Sequence, residues 1–238
     1  MGGTNPDEQT GNRLLDALPQ RDLEALLESM RLIRVAPREV LYEPDAPLES
    51  VFFPVEGMVS LTTLSSDGDA VEAATIGNEG MVGIAALLSA QPIASLRATC
   101  QLKASVLAMP ADSFHEFAFE SPFHRDVLLA YTQTQMAQIA QLVACHALHA
   151  IPMRLARWLL QTHDRARSDR FLLTQEFLSE MLGVRRASVS EAAASLQSKG
   201  VIEYHRGDII VLDRLGLERA SCECYTILKR QYERLIPA

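Results

Sequence analysis

Cysteine is scarce here: four in 238 residues, at Cys100, Cys145, Cys222 and Cys224. So few, so scattered, exclude a disulfide framework. Long hydrophobic runs are also missing. The most continuous apolar stretch lies around Met81–Leu88, far below the ~18 residues that a membrane span needs. No charged–apolar–small pattern opens the chain, so a signal peptide is not expected and a cytoplasmic location is. Lysine is nearly absent, three against 19 arginines, a bias we assign to genome composition. Positive charge is in deficit as well. The net charge is −8, which at face value argues against a polyanionic partner, since phosphates reward the opposite sign.

The chain nevertheless has what a folded protein needs. Hydrophobic residues make up 48% and charged residues 22%, enough to bury a core. The length suits one large domain or two small ones. The charge is unevenly spread. Residues 1–153 carry 8 basic and 19 acidic side chains, a net of −11, and residues 154–238 carry 14 and 11, a net of +3. An acidic front joined to a mildly basic back hints at polyanion contact by the back half.

The texture changes along the chain in step with this division. Residues 1–12 are polar and Gly-rich and suggest a disordered tail. Leucines at helical spacing predict one or two short helices over Arg13–Met30. From Ile33 to Phe114, short apolar runs such as Val51-Phe52-Phe53 and Val59-Ser60-Leu61 alternate with turn signals, among them Glu56-Gly57, Asp67-Gly68 and Gly77-Asn78. That spacing predicts an antiparallel roll or barrel. Between Pro122 and Pro152 there is no Gly or Pro, which predicts roughly thirty helical residues, about 45 Å long. One seam on it reads Leu129, Thr132, Met136, Ile139, Val143, His146, Ala150, alternating three and four as in a coiled coil. The natural partner is the same helix of a second subunit, so a homodimer is expected. Pro152 ends this helix and suits the first turn of the next, which places a hinge at Ala150–Pro152. The expected domains are a sensor roll over 13–121, a dimerisation helix over 122–151 and a third unit over 152–238.

Residues Thr174–Val211 carry the most specific pattern. Thr174 caps a helix whose Phe177, Leu178, Met181 and Leu182 face inward. Gly183 supplies a sharp turn. A second helix follows, with Val189, Ala192, Ala193 and Leu196 on one face, ended by Lys199-Gly200. Two strands flank Arg206-Gly207 as a hairpin wing. This is the layout of a winged helix-turn-helix, so double-stranded DNA is the expected partner. The second helix would enter the major groove with its N-terminal residues at base edges. Arg186 is the leading base reader, with Ser188, Ser190 and Glu191 on the same early face. Thr174, Arg185, Lys199, His205 and Arg206 are the phosphate candidates.

With these residues in hand, the chain resembles the Crp/Fnr superfamily of bacterial transcription regulators. The resemblance runs from Leu14 to Leu212. It rests on Leu41-Tyr42-Glu43-Pro44-Asp45, on Val51-Phe52-Phe53-Pro54-Val55-Glu56-Gly57-Met58-Val59-Ser60, on Thr174-Gln175-Glu176 and on Gly183-Val184-Arg185-Arg186-Ala187-Ser188-Val189. It implies an α+β fold: an N-terminal cyclic-nucleotide-binding-like β-roll, a long dimerisation helix and a C-terminal winged helix-turn-helix. An activator of this kind would also contact RNA polymerase. Members that bind cyclic AMP carry a Gly-Glu and an Arg-Ser in a phosphate cassette and a Thr-Ser pair on the dimer helix. A gapless register places these at Gly83-Ile84, Ala94-Ser95 and Ile139-Ala140. The pocket around Gly83, Ile84, Ser95, Arg97 and Ile139 is therefore degenerate, with Arg97 three residues late, and cyclic AMP is not expected in the usual manner.

No cofactor and no metal site are expected. No cysteine precedes Cys100, which sets the iron–sulfur mode of the Fnr type aside. Cys145, His146 and His149 near the hinge, and Cys222 and Cys224 further on, are expected to be structural. A cupin-like metal enzyme would need His and Glu clustered on barrel strands, yet the first histidine is His115; no enzyme is expected. A cyclic-nucleotide-binding-like regulatory subunit acting through a protein partner is the other reading, and the wing argues against it.

Overall fold

A computed structural model describes residues 10–235, apart from Gly68 and Arg167. The tail expected over 1–12 lies outside the described residues up to residue 9. Its last part is ordered. Asn12 is fully buried, and its side-chain amide donates to the carbonyls of Pro54 and Gly80, both at 2.8 Å. Its Oδ1 meanwhile caps α1 (Arg13–Asp16) by accepting from the Leu14 and Leu15 N–H groups. One residue thus starts the helix and anchors it to the roll. A second short helix, α2 (Gln20–Glu28), follows.

The roll is one antiparallel sheet of β1 (Arg31–Val35), β2 (Val40–Tyr42), β3 (Ser50–Leu64), β4 (Ala70–Ile76) and β5 (Arg97–Pro110). Its strand order is β1-β5-β3-β4, with β2 also on β5. The apolar runs that look separate in sequence are parts of two long strands. Glu56-Gly57, expected as a turn, lies inside β3. There the register against β5 slips three times between Pro54 and Val59. Gly57 has φ +90°, and a Cβ on it would stand 2.7 Å from the Lys103 carbonyl oxygen. Gly57 therefore marks a bulge that bends the strand rather than an end of it. The interior holds Val35, Phe52, Val59, Leu61, Ile76, Val82 and Val106.

Beyond the short α3 (Ala85–Leu88) and α4 (Ala111–Glu120) runs α5 (Pro122–Leu148), capped by the Ser121 hydroxyl, with Pro122 at its first position. One face of α5 is spent inside its own chain. Tyr131 donates its hydroxyl proton to the Met81 carbonyl and accepts from the Met81 N–H. Gln138 donates to the Thr75 carbonyl at 3.0 Å. On the opposite face Leu129, Met136 and Val143 are exposed, Met136 by 67%.

The chain breaks at His149, whose backbone is extended, and resumes as α6 (Ile151–Ala166). Nine consecutive residues, Arg154 to Thr162, are buried. Leu155, Trp158 and Leu159 build the second core. The polar groups of this helix bond into the roll. The Trp158 indole N–H donates to both carboxylate oxygens of Glu72 at 3.1 Å. Burial raises the pKa of Glu72, against the Ser60 hydroxyl and the Arg157 charge that lower it. Arg165 pairs with Glu79 at 2.5 Å, with both side chains under a tenth exposed. Burial pushes the Glu79 pKa up, but Arg165 and the Gly77 N–H outweigh it, so the carboxyl ionises below its usual range.

The remainder comprises β6 (Arg170–Leu172), α7 (Gln175–Leu182), α8 (Arg186–Ser198), β7 (Ile202–His205), β8 (Asp208–Val211), α9 (Arg214–Ala220) and α10 (Cys224–Leu235). The wing is three-stranded, β6-β8-β7, one strand more than the hairpin expected. α10 leaves this unit and packs back on α5, where the Tyr232 hydroxyl donates to Gln138 at 2.7 Å.

Removing one partner of a buried pair strands the other charge. Arg165→Met is expected to lower stability by about 3–5 kcal/mol in urea unfolding at neutral pH, and Glu79→Gln added to it should restore part of the loss. A depressed carboxylate stabilises fully above its unfolded value, about 4.5, and loses that contribution as pH falls through the folded value. The stability gap between wild type and Glu79→Gln should therefore shrink on acidification below about pH 4.5. A gap that stayed constant would contradict this assignment.

Candidate nucleic-acid interface

The helix pair is set by local chemistry. The Thr174 hydroxyl accepts from the Phe177 N–H and starts α7. Gly183 stops it with φ +60°. A Cβ there would also come within 3.0 Å of Val71 on β4, because the turn is packed against the roll. Val189, Ala192, Ala193 and Leu196 of α8 are buried, which directs the other side of α8 outward. Arg206 and Gly207, at φ 50° and 88°, form the two-residue wing turn with positive φ at both positions.

The predicted base-reading residues divide. Arg186 and Glu191 are exposed at the start of α8, and Ser188 is half-buried beside them. Ser190 is half-buried like Ser188, and its single hydroxyl proton is shared between the Gln175 side-chain oxygen at 2.9 Å and the Arg186 carbonyl at 3.2 Å. The bond to Gln175 ties α8 to the start of α7. Of the phosphate candidates, Arg185, Lys199, His205 and Arg206 are exposed at the two ends of α8 and at the wing tip. Thr174 is exposed, but its hydroxyl also accepts from the Arg38 guanidinium at 3.0 Å.

Thr174, Gln175, Arg186, Tyr204, Arg206 and Gly207 line one cavity of about 300 Å³. The starts of α7 and α8 and the wing therefore meet at one place. Tyr204 donates its hydroxyl proton to the Leu173 carbonyl at 3.0 Å, and burial raises its pKa. Arg170 and Asp208 form a two-point ion pair across β6 and β8 that holds the wing. Sequence reasoning did not single out Gln175 or Arg38. Gln175 follows the cap residue, a usable signal; Arg38 comes from the roll, 136 residues away from Thr174, and has no local signal.

The predicted effector positions do not form a charged pocket. Ile84 is half-buried and Ala94 is buried, while Ser95 is exposed. Arg97 pairs with Glu43 at 2.7 Å, both partly exposed. Ile139 packs against the roll cluster. On the proposed seam, Leu129, Met136 and Val143 are exposed, Ile139 is half-buried, and the Nε2 of His146 is buried with no hydrogen-bond partner among the described residues.

Two domain families match this chain in turn: the cyclic nucleotide-binding domain over residues 32–121 and the Crp-like helix-turn-helix domain over residues 153–220. The chain belongs to the Crp/Fnr family of transcriptional regulators. This regulator is 20% identical over 190 residues to the global nitrogen regulator of Synechococcus elongatus, covering 76% of this chain and 85% of that protein. Its fold is that of FixK2 from Bradyrhizobium japonicum, at TM-score 0.65 and 22% identity over 81% of this chain and 98% of the other. A Crp/Fnr-family transcriptional regulator from Thermus thermophilus gives TM-score 0.66 at 19% identity over 80% and 98%. The c-di-GMP-responsive global regulator CLP of Xanthomonas campestris gives 0.65 at 14% over 81% and 99%. No helix among the described residues is long and apolar enough to cross a membrane.

Proposed function

We propose that this Crp/Fnr-type regulator acts as a homodimer that reads a near-palindromic DNA operator with its two α8 helices. The reading rests on one observation: Arg186, Gln175 and Arg206, from α8, α7 and the wing, surround a single groove. Arg186 leads the base contacts, with Glu191 and Ser188 beside it, and Arg185, Lys199, His205 and Arg206 hold phosphates on either side. The work is binding, not catalysis.

An exposed apolar row on α5 supports the dimeric part of this reading. The exposed row Leu129, Met136, Val143 runs along α5 opposite the face that grips the roll. Pairing it with its own copy would remove this apolar row from water, and an operator of two half-sites then requires the two α8 helices about one turn of DNA apart, roughly 34–36 Å. As an activator the dimer would also touch RNA polymerase. The roll biases the DNA-binding unit through the buried contacts of α6 and through Gly183 against Val71. A ligand can do so only by preferring one arrangement. We infer that cyclic AMP is not that ligand in the usual manner, because Ile84 and Ala94 stand where its hydrogen-bonding acid and Arg are expected and Arg97 is engaged by Glu43.

The first experiment is genome-wide binding with the purified protein, then anisotropy titration on the selected operator. Arg186→Ala should cost ~1–3 kcal/mol of specific affinity and relax selectivity at one base position. Unchanged affinity and selectivity would remove Arg186 from the interface. Sedimentation of Met136→Glu/Val143→Glu should show monomer where the wild type shows dimer; a persisting dimer would place the interface elsewhere. Calorimetric titration with cyclic AMP should show no micromolar binding, and a micromolar isotherm would refute the degenerate pocket.

A further inference from the structure

The bend between α5 and α6 brings together four residues that are far apart in the chain. Cys145 is on the last turn of α5, His149 follows it, and Cys222 and Cys224 join α9 to α10. One ligand atom from each lies within 4.8 Å of every other. The Sγ atoms of Cys145 and Cys222 are 3.6 Å apart, and Cys224 Sγ stands 3.5 Å from His149 Nδ1. All four cysteines of the chain are free, and these three are at most 2% exposed.

These separations fit a common central ion. Zinc holds thiolate sulfur at about 2.3 Å and imidazole nitrogen at about 2.0–2.1 Å in a tetrahedron, which puts sulfurs about 3.8 Å from each other and about 3.5 Å from the nitrogen. A disulfide fits poorly, since bonded sulfurs stand at about 2.05 Å. The surroundings also suit a metal. His149 turns its other nitrogen, Nε2, to the Glu223 carboxylate at 3.1 Å, the outer contact that orients a metal-bound imidazole. Gln141 donates its side-chain amide to Cys224 Sγ at 3.1 Å. Three thiolates and one zinc leave one net negative charge. Arg154 and Arg157 of α6 act electrostatically on Cys145. Arg157 is fully buried, with Nε and Nη2 lacking hydrogen-bond partners among the described residues. A negative cluster would add to the electrostatic partner that Arg157 already has in Glu72 and to its bond with Gln161.

We propose that Cys145, His149, Cys222 and Cys224 bind one thiophilic divalent cation of the zinc class as a Cys₃His site. The sequence expectation of no metal site treated Cys145, His146 and His149 separately from Cys222 and Cys224; the fold joins the two groups, leaving His146 out. The ion would clamp the end of the dimer helix to the start of α10 at the bend, where the direction of the DNA-binding unit is set. The metal assignment is independent of the DNA reading and is tested without DNA.

The full chain is purified under reducing conditions and its metals are measured by plasma mass spectrometry, followed by Co²⁺ replacement. About one zinc per chain is expected, together with the strong visible absorption of tetrahedral thiolate-bound cobalt. Cys222→Ser/Cys224→Ser should lose both signals, with circular dichroism reporting the fold, and Cys100→Ala, in the roll, should keep both. The exposed Glu223 allows a milder variant: Glu223→Gln should weaken zinc about 10–100-fold in competition with a chelator. Protein with four reduced thiols that takes up neither Zn²⁺ nor Co²⁺ would overturn the proposal. So would a Cys145–Cys222 disulfide in the fresh protein, or metal retained by the double serine variant.

Discussion

The constraint on α6 is to bury nine consecutive residues while partnering its polar groups. Trp158 and Arg165 find carboxylates, whereas Nε and Nη2 of Arg157 find no hydrogen bond among the described residues. The apolar residues of α6 build the core of the DNA-binding unit, while Trp158 and Arg165 reach the roll through Glu72 and Glu79. Both carboxylates sit on or just after β4, so a single strand receives both links. The Gly183 turn leans on Val71 of that same strand. Movement of the helix-turn-helix relative to the roll must therefore break buried polar contacts or leave them intact as a block. Packed interfaces of this kind switch between discrete arrangements rather than deform continuously.

The long helix α5 meets the same demand differently. Its inner face is pinned by Tyr131 and Gln138 to roll backbone groups, and its outer face keeps an apolar row in solvent. At its far end the thiol cluster stands where α5, the bend and α10 converge.

Much of the fold was legible in the residues because its signals are local. Thr174, Gly183 and Arg206-Gly207 act within a few residues of themselves, so cap, turn and the hairpin of the wing could be placed from neighbours alone, while the third wing strand, β6, could not. Pro122 marked the start of the long helix for the same reason, but the helix ends at Leu148 rather than at the expected 151, and Pro152 lies in the first turn of α6. The illegible parts involve distant partners. Glu56-Gly57 looks like a turn until β5 lies beside it and makes it a bulge. Ser190 looks free until Gln175 is opposite it. Asn12 looks like tail until Pro54 and Gly80 offer their carbonyls.

The chain's composition and local patterns determined the α+β class, the order of roll, long helix and winged helix-turn-helix, and the exposure of Arg186 at the start of α8. These follow from hydrophobic period, capping and backbone preference, which act over a turn or a hairpin. Tertiary structure alone decided that Arg38 bonds Thr174, that α6 is held to β4 through Glu72 and Glu79, and that Cys145 and His149 meet Cys222 and Cys224. Those pairings join residues dozens to more than a hundred positions apart, and only the folded path of the chain brings them within bonding distance.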